Sequence, residues 1–238
     1  MFLEYTLTVI VPAHDEAEAI GTVVGELLAL RHSGEPLVDR VVVAANACTD
    51  DTAAVAAAAG AVVVEEARKG YGAACLAALT VAASADLIAF VDGDDSCEVS
   101  ALLTLVERWH QGADLVIGSR ALGVAEAGAL PPHQRWGNRF AGFVLTRLSG
   151  QRVTDLGPLR LIAQRTLQRL NMQDQAFGWT VEMQIKALRE GLVVAEVPVA
   201  SRRRTGHSKV SGTLRGSLGA SWTILRLLAR YALGKDRR

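Results

Sequence analysis

The sequence lacks features that mark several large classes of protein. Its three cysteines, Cys48, Cys75 and Cys97, show no Cys-x-x-Cys spacing, so we expect no disulfide framework and a reducing compartment. No apolar run approaches the ~20 residues of a membrane-spanning helix. The N-terminus carries Glu4 where a signal peptide would be positively charged. We therefore expect a cytoplasmic protein, which could still rest on the inner face of the cell membrane.

An excess of charge of one sign is also missing. The chain has 25 basic and 25 acidic residues, so no global field attracts nucleic acid, and none is expected as a partner. The balance is uneven along the chain, because ten basic residues and one acid follow position 200. Neither G-x-x-x-x-G-K-[ST] nor G-x-G-x-x-G after the first strand is present, which argues against a P-loop protein and a nicotinamide enzyme. The oligomeric state is left open, with a homo-oligomer as one alternative.

Apolar segments rich in β-branched residues alternate with segments of helical period through the first half of the chain. With 238 residues and a hydrophobic fraction of 50%, the chain can bury one substantial core. The predicted strands cover residues 6–12, 38–45, 61–65, 86–92 and 113–119, and the predicted helices 17–30, 49–60, 71–84 and 98–110. This alternation predicts βαβ units and a parallel sheet, with ligands at the carboxyl ends of the strands.

The regular alternation stops after Arg120. The remainder is predicted as a loop at 121–133, a helix at 134–150, a strand at 156–163, a helix at 178–191, a strand at 192–199, a basic loop at 201–213 and a final helix at 214–233. On the final helix, Arg and Trp side chains flank a leucine stripe. Such a pattern is typical of an interfacial helix and equally of a helix packed on its own domain.

Three carboxylates, Asp92, Asp94 and Asp95, follow the fourth predicted strand. Asp-x-Asp after a buried strand brings two hard oxygen ligands to one place, which suits Mg²⁺ or Mn²⁺ together with phosphate oxygens. The alternative is an acidic turn that caps the next helix. The position at the carboxyl end of a parallel sheet favours the metal, so Asp92 and Asp94 are the predicted metal ligands.

A basic, glycine-containing turn opens the third predicted helix. Arg68 and Lys69 precede Gly70, and a cationic pair at a helix N-terminus suits phosphate. The alternative is a basic turn that is simply solvated.

The motifs in this order resemble those of the family 2 glycosyltransferases, in particular the dolichyl-phosphate mannose synthase-like, polyprenyl-phosphate branch. The resemblance covers nearly the whole chain and rests on VIVPAHDEAEAIGTVV, VVVAANACTDDTA, RKGYGAA, VDGDDS, ADLVIGSR, VTDLGPLRL, WTVEMQIKA and EVPVASRRRTGHSKVSG. It implies a GT-A fold, which is a Rossmann-like α/β fold. Its mostly parallel sheet is sandwiched by helices and followed by an acceptor-side elaboration and a C-terminal amphipathic helix.

The resemblance also implies an activity and a division of the chain. The implied reaction transfers a sugar from a UDP- or GDP-sugar, with inversion, to a polyprenyl phosphate, and uses a divalent cation (Mg²⁺ or Mn²⁺). One domain is expected, with residues 1–120 as the nucleotide-sugar half, 121–210 as the acceptor half and 211–238 as the C-terminal amphipathic helix. That last helix is where peripheral membrane contact is expected.

The implied donor site extends from the metal ligands to a nucleoside pocket. Asp92 and Asp94, with Gly93 between them, would carry the metal and the diphosphate. The sequence departs from the family where the second strand ends, because Ala44 and Ala45 stand where an acid is common. The nearest polar group is Asn46, whose amide can pair with a base edge, so uridine and guanosine stay open. The remaining predicted donor-binding residues are Pro12, Asp15, Glu16, Arg68, Lys69 and Gly70.

The acceptor determines whether a base is needed. A phosphate monoester is already anionic near neutral pH and needs cations, whereas a hydroxyl must lose a proton to a base. The predicted residues for an acceptor phosphate are Arg120, Arg202, Arg204, Ser208 and Lys209. Beside Asp94, the predicted catalytic residues are the candidate bases Asp155 and Glu182, and they keep a hydroxyl acceptor, such as a phosphoglycerate or glycan, as the alternative. A nucleotidyltransferase is disfavoured by the missing G-x-G-x-R loop, and a non-catalytic binding module is the third hypothesis.

Overall fold

Runs of β-branched residues form the strands of the fold, as the sequence predicts. The computed structural model describes residues 5–129 and 132–205, so the predictions for the final helix, Ser208 and Lys209 lie outside it. The strands are β1 (Leu7–Ala13), β2 (Arg31–His32), β3 (Glu35–Pro36), β4 (Arg40–Asn46), β5 (Val62–Glu66), β6 (Leu87–Phe90), β7 (Leu115–Ser119), β8 (Arg160–Ala163) and β9 (Val194–Pro198). The α-helices are α1 (Ile20–Ala29), α2 (Thr52–Ala58), α3 (Tyr71–Val81), α4 (Leu102–His110), α5 (Pro132–Ser149), α6 (Gln164–Leu170) and α7 (Trp179–Arg189).

One mostly parallel sheet organises the described chain. Its strand order is β5-β4-β1-β6-β8-β7-β9, and β2 and β3 form a separate two-stranded hairpin. β1 pairs in parallel with β4 and β6, whereas β8 is antiparallel to both β6 and β7. The antiparallel strand follows from the connection, because the chain leaves β7, passes through α5 and returns between β6 and β7. The predicted fold class, a mostly parallel α/β sheet flanked by helices, is confirmed.

Alternate residues of the central strands pack into two separate hydrophobic cores, one on each face of the sheet. Val9 and Val11 of β1 pack with α1 and α4 on one face of the sheet, while Ile10 packs with α3 and α7 on the other. β1 is buried along its whole length, because a central parallel strand is covered on both faces. All three cysteines are free thiols, and Cys75 lies buried in the second core.

Two elements were not predicted from the sequence. The hairpin of β2 and β3 has only two residues per strand, and α6 has only seven residues, which is too short for a helical period to stand out. A third, smaller core joins the acceptor-side elements, where Ala141 and Leu145 of α5 pack against Val181 and Ile185 of α7.

Candidate active site

The carboxylates of the Asp-x-Asp segment lie where β6 ends. Gly93 lets this turn pack closely on β1, because a Cβ at this position would lie 3.2 Å from the Cβ of Ala13. The hydroxyl of Tyr71, the first residue of α3, donates to Oδ1 of Asp92 at 3.0 Å. The backbone amide of Ser96 donates to Oδ1 of Asp94 at 3.1 Å. Both aspartates are thus held by the surrounding fold.

The negative charge of Asp94 disfavours the charged form of the neighbouring Asp92 carboxyl. Burial, followed by the negative charge of Asp94, raises the pKa of Asp92 to about 7, although the hydrogen bond from Tyr71 acts in the opposite direction. Asp94 is itself buried. A divalent cation would relieve this repulsion, and two hard oxygen ligands are a donor set that fits Mg²⁺ or Mn²⁺. Such a cation would stabilise negative charge on a leaving diphosphate.

Residues 200–205, which we call the basic strap, lie across the Asp-x-Asp turn. The strap is anchored by backbone hydrogen bonds, from the amide of Arg202 to the carbonyl of Ser96 at 3.0 Å and from the amide of Thr205 to the carbonyl of Asp94 at 3.1 Å. Ser201 also forms an isolated antiparallel bridge with Cys97. The strap therefore follows the turn along its backbone.

The arginines of the basic strap contact donor-side carboxylates. Arg204 Nη2 lies 2.7 Å from Asp94 Oδ2 and 3.2 Å from Glu16 Oε1. Arg202 Nη1 lies 3.1 Å from Asp95 Oδ1, and it also contacts Glu26. Nε of Arg204 is buried and has no partner within the described residues. Both arginines are predicted to hold an acceptor phosphate, and in this structure their side chains contact carboxylates of the donor side.

The predicted nucleoside-pocket residues follow or end β1. Pro12 lies within β1, opposite Ala44 of β4. Asp15 has a φ of 52°, and its Oδ1 accepts a hydrogen bond from the amide of Thr49 at 2.6 Å, which lowers the pKa of Asp15. The amide of Glu16 donates to Oγ1 of Thr52 at 2.8 Å. The structure therefore brings Asp15 and Glu16 to the start of α2, next to the end of β1.

Asn46 is fully occupied by the backbone of the neighbouring turn. Its Nδ2 donates to the carbonyls of Glu66 and Arg68 at 3.1 and 2.7 Å, and its Oδ1 accepts from the amide of Gly70 at 2.8 Å. The side chain is also buried. Asn46 thus shapes the basic turn, and its amide is not directed at an open space where a base edge could pair with it.

Ligand atoms of His14, Asp15 and Cys48 lie within 4.8 Å of one another. This cluster already has other partners, since Nζ of Lys69 is 2.8 Å from Nε2 of His14 and the amide of Asp15 donates to Sγ of Cys48 at 3.4 Å. A lysine ammonium beside the histidine repels a metal cation. The group is therefore a hydrogen-bonded network next to the nucleoside side of the site.

The basic turn before α3 is closed by the loop of residues 173–178. The amides of Gly72 and Ala73 donate to the carbonyls of Ala176 and Gln175 at 3.1 and 3.0 Å, so the first-turn amides are already paired. Nη1 of Arg68 donates to Oε1 of Gln175 at 2.8 Å. The cationic groups at this turn are the side chains of Arg68 and Lys69, which contact Gln175 and His14, respectively.

The approach of this loop depends on glycine. Gly70 has a φ of 157°, and a Cβ there would lie 2.1 Å from the carbonyl oxygen of Gln175. A Cβ at Gly72 would lie 1.9 Å from the carbonyl oxygen of Asp174. The glycines of the predicted turn thus serve close backbone packing.

Both candidate bases carry out structural tasks. Oδ1 and Oδ2 of Asp155 accept from Arg120 at 2.9 and 2.8 Å, and Oδ1 also accepts from Asn138 at 2.7 Å. Glu182 accepts from the amide of Asp174 at 2.8 Å and lies 2.7 Å from Nζ of Lys186. Each carboxylate therefore has its acceptor capacity engaged by neighbours, which disfavours its use as a general base.

A buried arginine, Arg160, supports the segment that follows Asp155. Arg160 is fully buried and has no carboxylate partner within the described residues. Its guanidinium donates to the carbonyls of Gly157, Thr180 and Leu156 and to Oε1 of Gln184, at 2.6–3.3 Å. Burial lowers the pKa of Arg160 to about 10. Arg160 fixes the segment that positions Asp155.

The acceptor half contains a cavity of about 750 Å³. Its walls combine apolar groups, including Leu122 and Phe143, with one carboxylate, that of Asp155, and four guanidinium groups. The four belong to Arg120, Arg135, Arg139 and Arg152. Since Asp155 is already paired with Arg120, the cavity, which we call the arginine cavity, is strongly cationic.

Sequence reasoning found one of these arginines and missed the other three, together with Asn138 and Tyr71. A usable signal was present, because Arg135 and Arg139 are four residues apart on a predicted helix that contains no acidic residue. Arg152 gave no such signal, since it lies in an irregular segment.

The fold and the site together define a glycosyltransferase, and comparison with known proteins identifies its family. Residues 8–169 match the model of glycosyl transferase family 2. An uncharacterized glycosyltransferase of Mycobacterium tuberculosis is 36% identical over 217 residues, which cover 89% of this chain and 93% of that protein. The chain belongs to glycosyl transferase family 2.

Two further similarities concern the branch and the fold. A dolichyl-phosphate hexose transferase of Haloferax volcanii is 28% identical over 217 residues, which cover 87% of this chain and 89% of that protein. This supports the predicted resemblance to the polyprenyl-phosphate branch. Glucosyl-3-phosphoglycerate synthase from Mycobacterium tuberculosis, solved with Mn²⁺, UDP-glucose and phosphoglyceric acid, is 22% identical and has a TM-score of 0.74, covering 96% of this chain and 80% of that chain. The GT-A fold is thereby confirmed.

Proposed function

We propose that the protein transfers a sugar, with inversion, from a UDP- or GDP-sugar to a polyprenyl phosphate and depends on a divalent cation. The arginine cavity is the observation that carries this proposal. It places four guanidinium groups beside the end of β7. Its lining contains one carboxylate, that of Asp155, which is already paired with Arg120. Such an environment suits an anionic nucleophile.

The donor side of the proposal uses the carboxyl edge of the sheet. Asp92 and Asp94 would hold Mg²⁺ or Mn²⁺ with the donor diphosphate, and Gly93 keeps the turn close to β1. Arg68 and Lys69 would contact phosphate through their side chains. Pro12, Asp15 and Glu16 would border the nucleoside. The amide of Asn46 is already paired, so Asn46 would contribute indirectly, by fixing the shape of the basic turn before α3. The solved structure with Mn²⁺ and UDP-glucose is consistent with such a donor.

The acceptor side follows from the charge of the nucleophile. A phosphate monoester attacks as an anion and needs cationic hydrogen-bond donors, each worth about 1.5–3 kcal/mol when the partner is charged. Arg139 and Arg152 line the cavity as additional cations, while Arg120 is oriented by Asp155. A neutral hydroxyl would require a free base, and the carboxylates of Asp155 and Glu182 are engaged in other bonds. The name of the Haloferax relative supports a lipid phosphate.

The test compares acceptors that partition into different phases. Labelled UDP- and GDP-sugars are incubated with Mg²⁺ or Mn²⁺ and either a short-chain polyprenyl phosphate or 3-phosphoglycerate. We expect an organic-phase product with the lipid phosphate. Arg139→Gln and Arg152→Gln should raise KM for the lipid phosphate about 10- to 150-fold, the equivalent of one charged hydrogen bond. Arg165→Gln, an exposed arginine on α6 outside the cavity lining, is the matched control.

Two outcomes would contradict the proposal. A label that stays in the aqueous phase with phosphoglycerate alone would identify the soluble hydroxyl acceptor as the substrate. An equal effect of Arg165→Gln and Arg139→Gln would show that general surface charge, not the cavity, attracts the acceptor. In the proposed setting the protein works in the cytoplasm at the inner face of the cell membrane, where a lipid phosphate would be met.

A further inference from the structure

The outward face of α5 exposes three large aromatic side chains. Trp136, Phe140 and Phe143 are 76%, 54% and 63% exposed, respectively. At about 100° per residue, their positions fall within an arc of about 60°, so they form one stripe. Ala141 and Leu145, on the opposite side of the helix, are buried against α7. Packing of the domain therefore accounts for one face of α5 and leaves the aromatic face open.

The same face carries positive charge only. The 18 residues of α5 contain Arg135, Arg139 and Arg147 and no aspartate or glutamate. Arg147 lies in line with the aromatic stripe and Arg139 lies beside it, at helical angles of about 20° and −60° from Trp136. We call Trp136, Phe140, Phe143, Arg139 and Arg147 the α5 outer face. No helix of residues 5–129 or 132–205 is long and apolar enough to cross a bilayer.

We propose that the α5 outer face docks on an anionic lipid surface. Exposed aromatic rings flanked by arginines match the interface of a bilayer, where the rings enter the headgroup layer and the guanidinium groups meet lipid phosphates. Exposed aromatic clusters of this kind mark interaction sites in soluble proteins. The charge selects the partner, because a surface without acids is complementary to a negative one.

Charge also disfavours the two other occupants. A second copy docked through the same face would place four arginines together without an acid to pair them, since a two-fold interface brings identical patches into contact. The chain from position 206 onward carries seven basic residues and one acid, so it has the same sign as the α5 outer face. Like charges across a contact cost free energy.

The docked orientation would bring the arginine cavity to the lipid surface, and this second step rests on the proposed function. Phe143 and Arg139 belong both to the α5 outer face and to the lining of the cavity. A headgroup phosphate could then enter the cavity while its hydrocarbon chain stays in the bilayer. Val124, which is 81% exposed, lies in the loop that follows β7 at the edge of the arginine cavity.

The test measures binding of the full chain to vesicles. Co-sedimentation is compared for phosphatidylcholine vesicles with and without phosphatidylglycerol, over a range of salt concentrations. We expect binding to the anionic vesicles that weakens with salt, and a loss of about tenfold or more in Trp136→Ser/Phe140→Ser. Neither of these residues lines the cavity. Val62→Ser/Val193→Ser, which changes two exposed apolar residues elsewhere, is the matched control.

A second measurement locates the contact. Brominated lipids should quench Trp136 fluorescence, and Trp136→Phe should remove that share of the quenching while leaving vesicle binding nearly intact. Arg147→Gln should weaken binding to anionic vesicles more than Arg108→Gln, a control on α4 with the same change in net charge.

Several results would overturn the inference. These are no binding to anionic vesicles, binding unaffected by Trp136→Ser/Phe140→Ser, or a dimer in sedimentation equilibrium that this variant dissociates. The proposed function is judged separately with a water-soluble short-chain polyprenyl phosphate in the absence of vesicles. Transfer to that acceptor without vesicle binding would refute the lipid surface alone. Variant-sensitive vesicle binding without transfer to any lipid phosphate would refute the proposed function alone.

Discussion

Arg204 competes with a divalent cation for Asp94, and its removal should strengthen metal binding to the free protein. Nη2 of Arg204 lies 2.7 Å from Oδ2 of Asp94, one of the two predicted metal ligands. The same guanidinium lies 3.2 Å from Glu16. A cation that engages Asp94 fully must displace this group or share its oxygens with it. Arg204→Gln removes the competing charge while keeping a polar side chain of moderate length.

The size of the effect follows from the exposure of the pair. Two unit charges about 4 Å apart attract by roughly 4 kcal/mol at an effective dielectric constant of about 20. The side chains of Arg204 and Asp94 are 27% and 13% exposed, so solvent screens part of this attraction. Since measured ion pairs near a surface contribute about 1 kcal/mol or less, and more buried ones exceed that, we expect a net effect of about 1–2 kcal/mol. Mn²⁺ should therefore bind Arg204→Gln about 5- to 30-fold more tightly.

The assay is Mn²⁺ binding without nucleotide, by calorimetry or by the electron paramagnetic resonance signal of free Mn²⁺, so it does not depend on turnover. Arg203→Gln is the matched control, because Arg203 is the exposed neighbour in the basic strap and the change in net charge is the same. Asp94→Asn should abolish the gain in the Arg204→Gln background. Equal affinities of Arg204→Gln, Arg203→Gln and the unmodified protein would refute the competition.

Three further predictions concern stability. Arg160→Met should cost about 3–5 kcal/mol of unfolding free energy in urea titrations, because four oxygen atoms lose a buried cationic donor, and a cost below 1 kcal/mol would contradict this role. Gly72→Ala should destabilise by about 2 kcal/mol or more, since its Cβ would lie 1.9 Å from a backbone oxygen of Asp174, whereas Gly25→Ala in α1, with nothing within 4 Å, should be neutral or slightly stabilising. Hydrogen bonds from the residue before β1 lower the pKa of Asp86 below 3.8, so its stabilising contribution is complete above about pH 4 and is lost at lower pH. The difference in unfolding free energy between the unmodified protein and Asp86→Asn should therefore change below pH 4, and a constant difference from pH 7 to pH 3 would argue against it.

The strands of the donor half were predictable because each is a short β-branched run in a regular βαβ rhythm. This pattern predicted β1, β4 and β6 directly. The position of Asp92 and Asp94 was predicted because ligands of parallel sheets bind at the carboxyl ends of the strands. The antiparallel direction of β8 was not predictable, because a four-residue apolar segment carries no information about the direction of its neighbours. Direction is set by the path through α5, which is a property of the whole chain.

The candidate site was likewise predictable only in part. Residue types that suit phosphate or a metal were recognisable, but which of them pair with one another was not. Asn46 and Glu182 look available in the sequence, yet both are engaged by backbone amides or carbonyls of distant loops. Arg202 and Arg204 were predicted at the acceptor, and their contacts are with the acidic turn, because long side chains pair with the nearest opposite charge. Arg152 joins the cavity only through tertiary folding.

The need for a general base separates the two acceptor chemistries, because a phosphoglycerate is as anionic as a lipid phosphate and would also suit the arginine cavity. Transfer to a lipid phosphate joins two anionic substrates, so each needs its own positive charge. Under the proposed function, a cation at Asp92 and Asp94 would neutralise the donor diphosphate and the arginine cavity would neutralise the acceptor. Transfer to a hydroxyl would instead need an unpaired carboxylate beside the acceptor. In the described residues the candidate carboxylates are paired, while three cavity arginines, those at positions 135, 139 and 152, are exposed. Exposed positive charge, together with carboxylates that are already paired, is the physical basis of the proposed phosphate nucleophile.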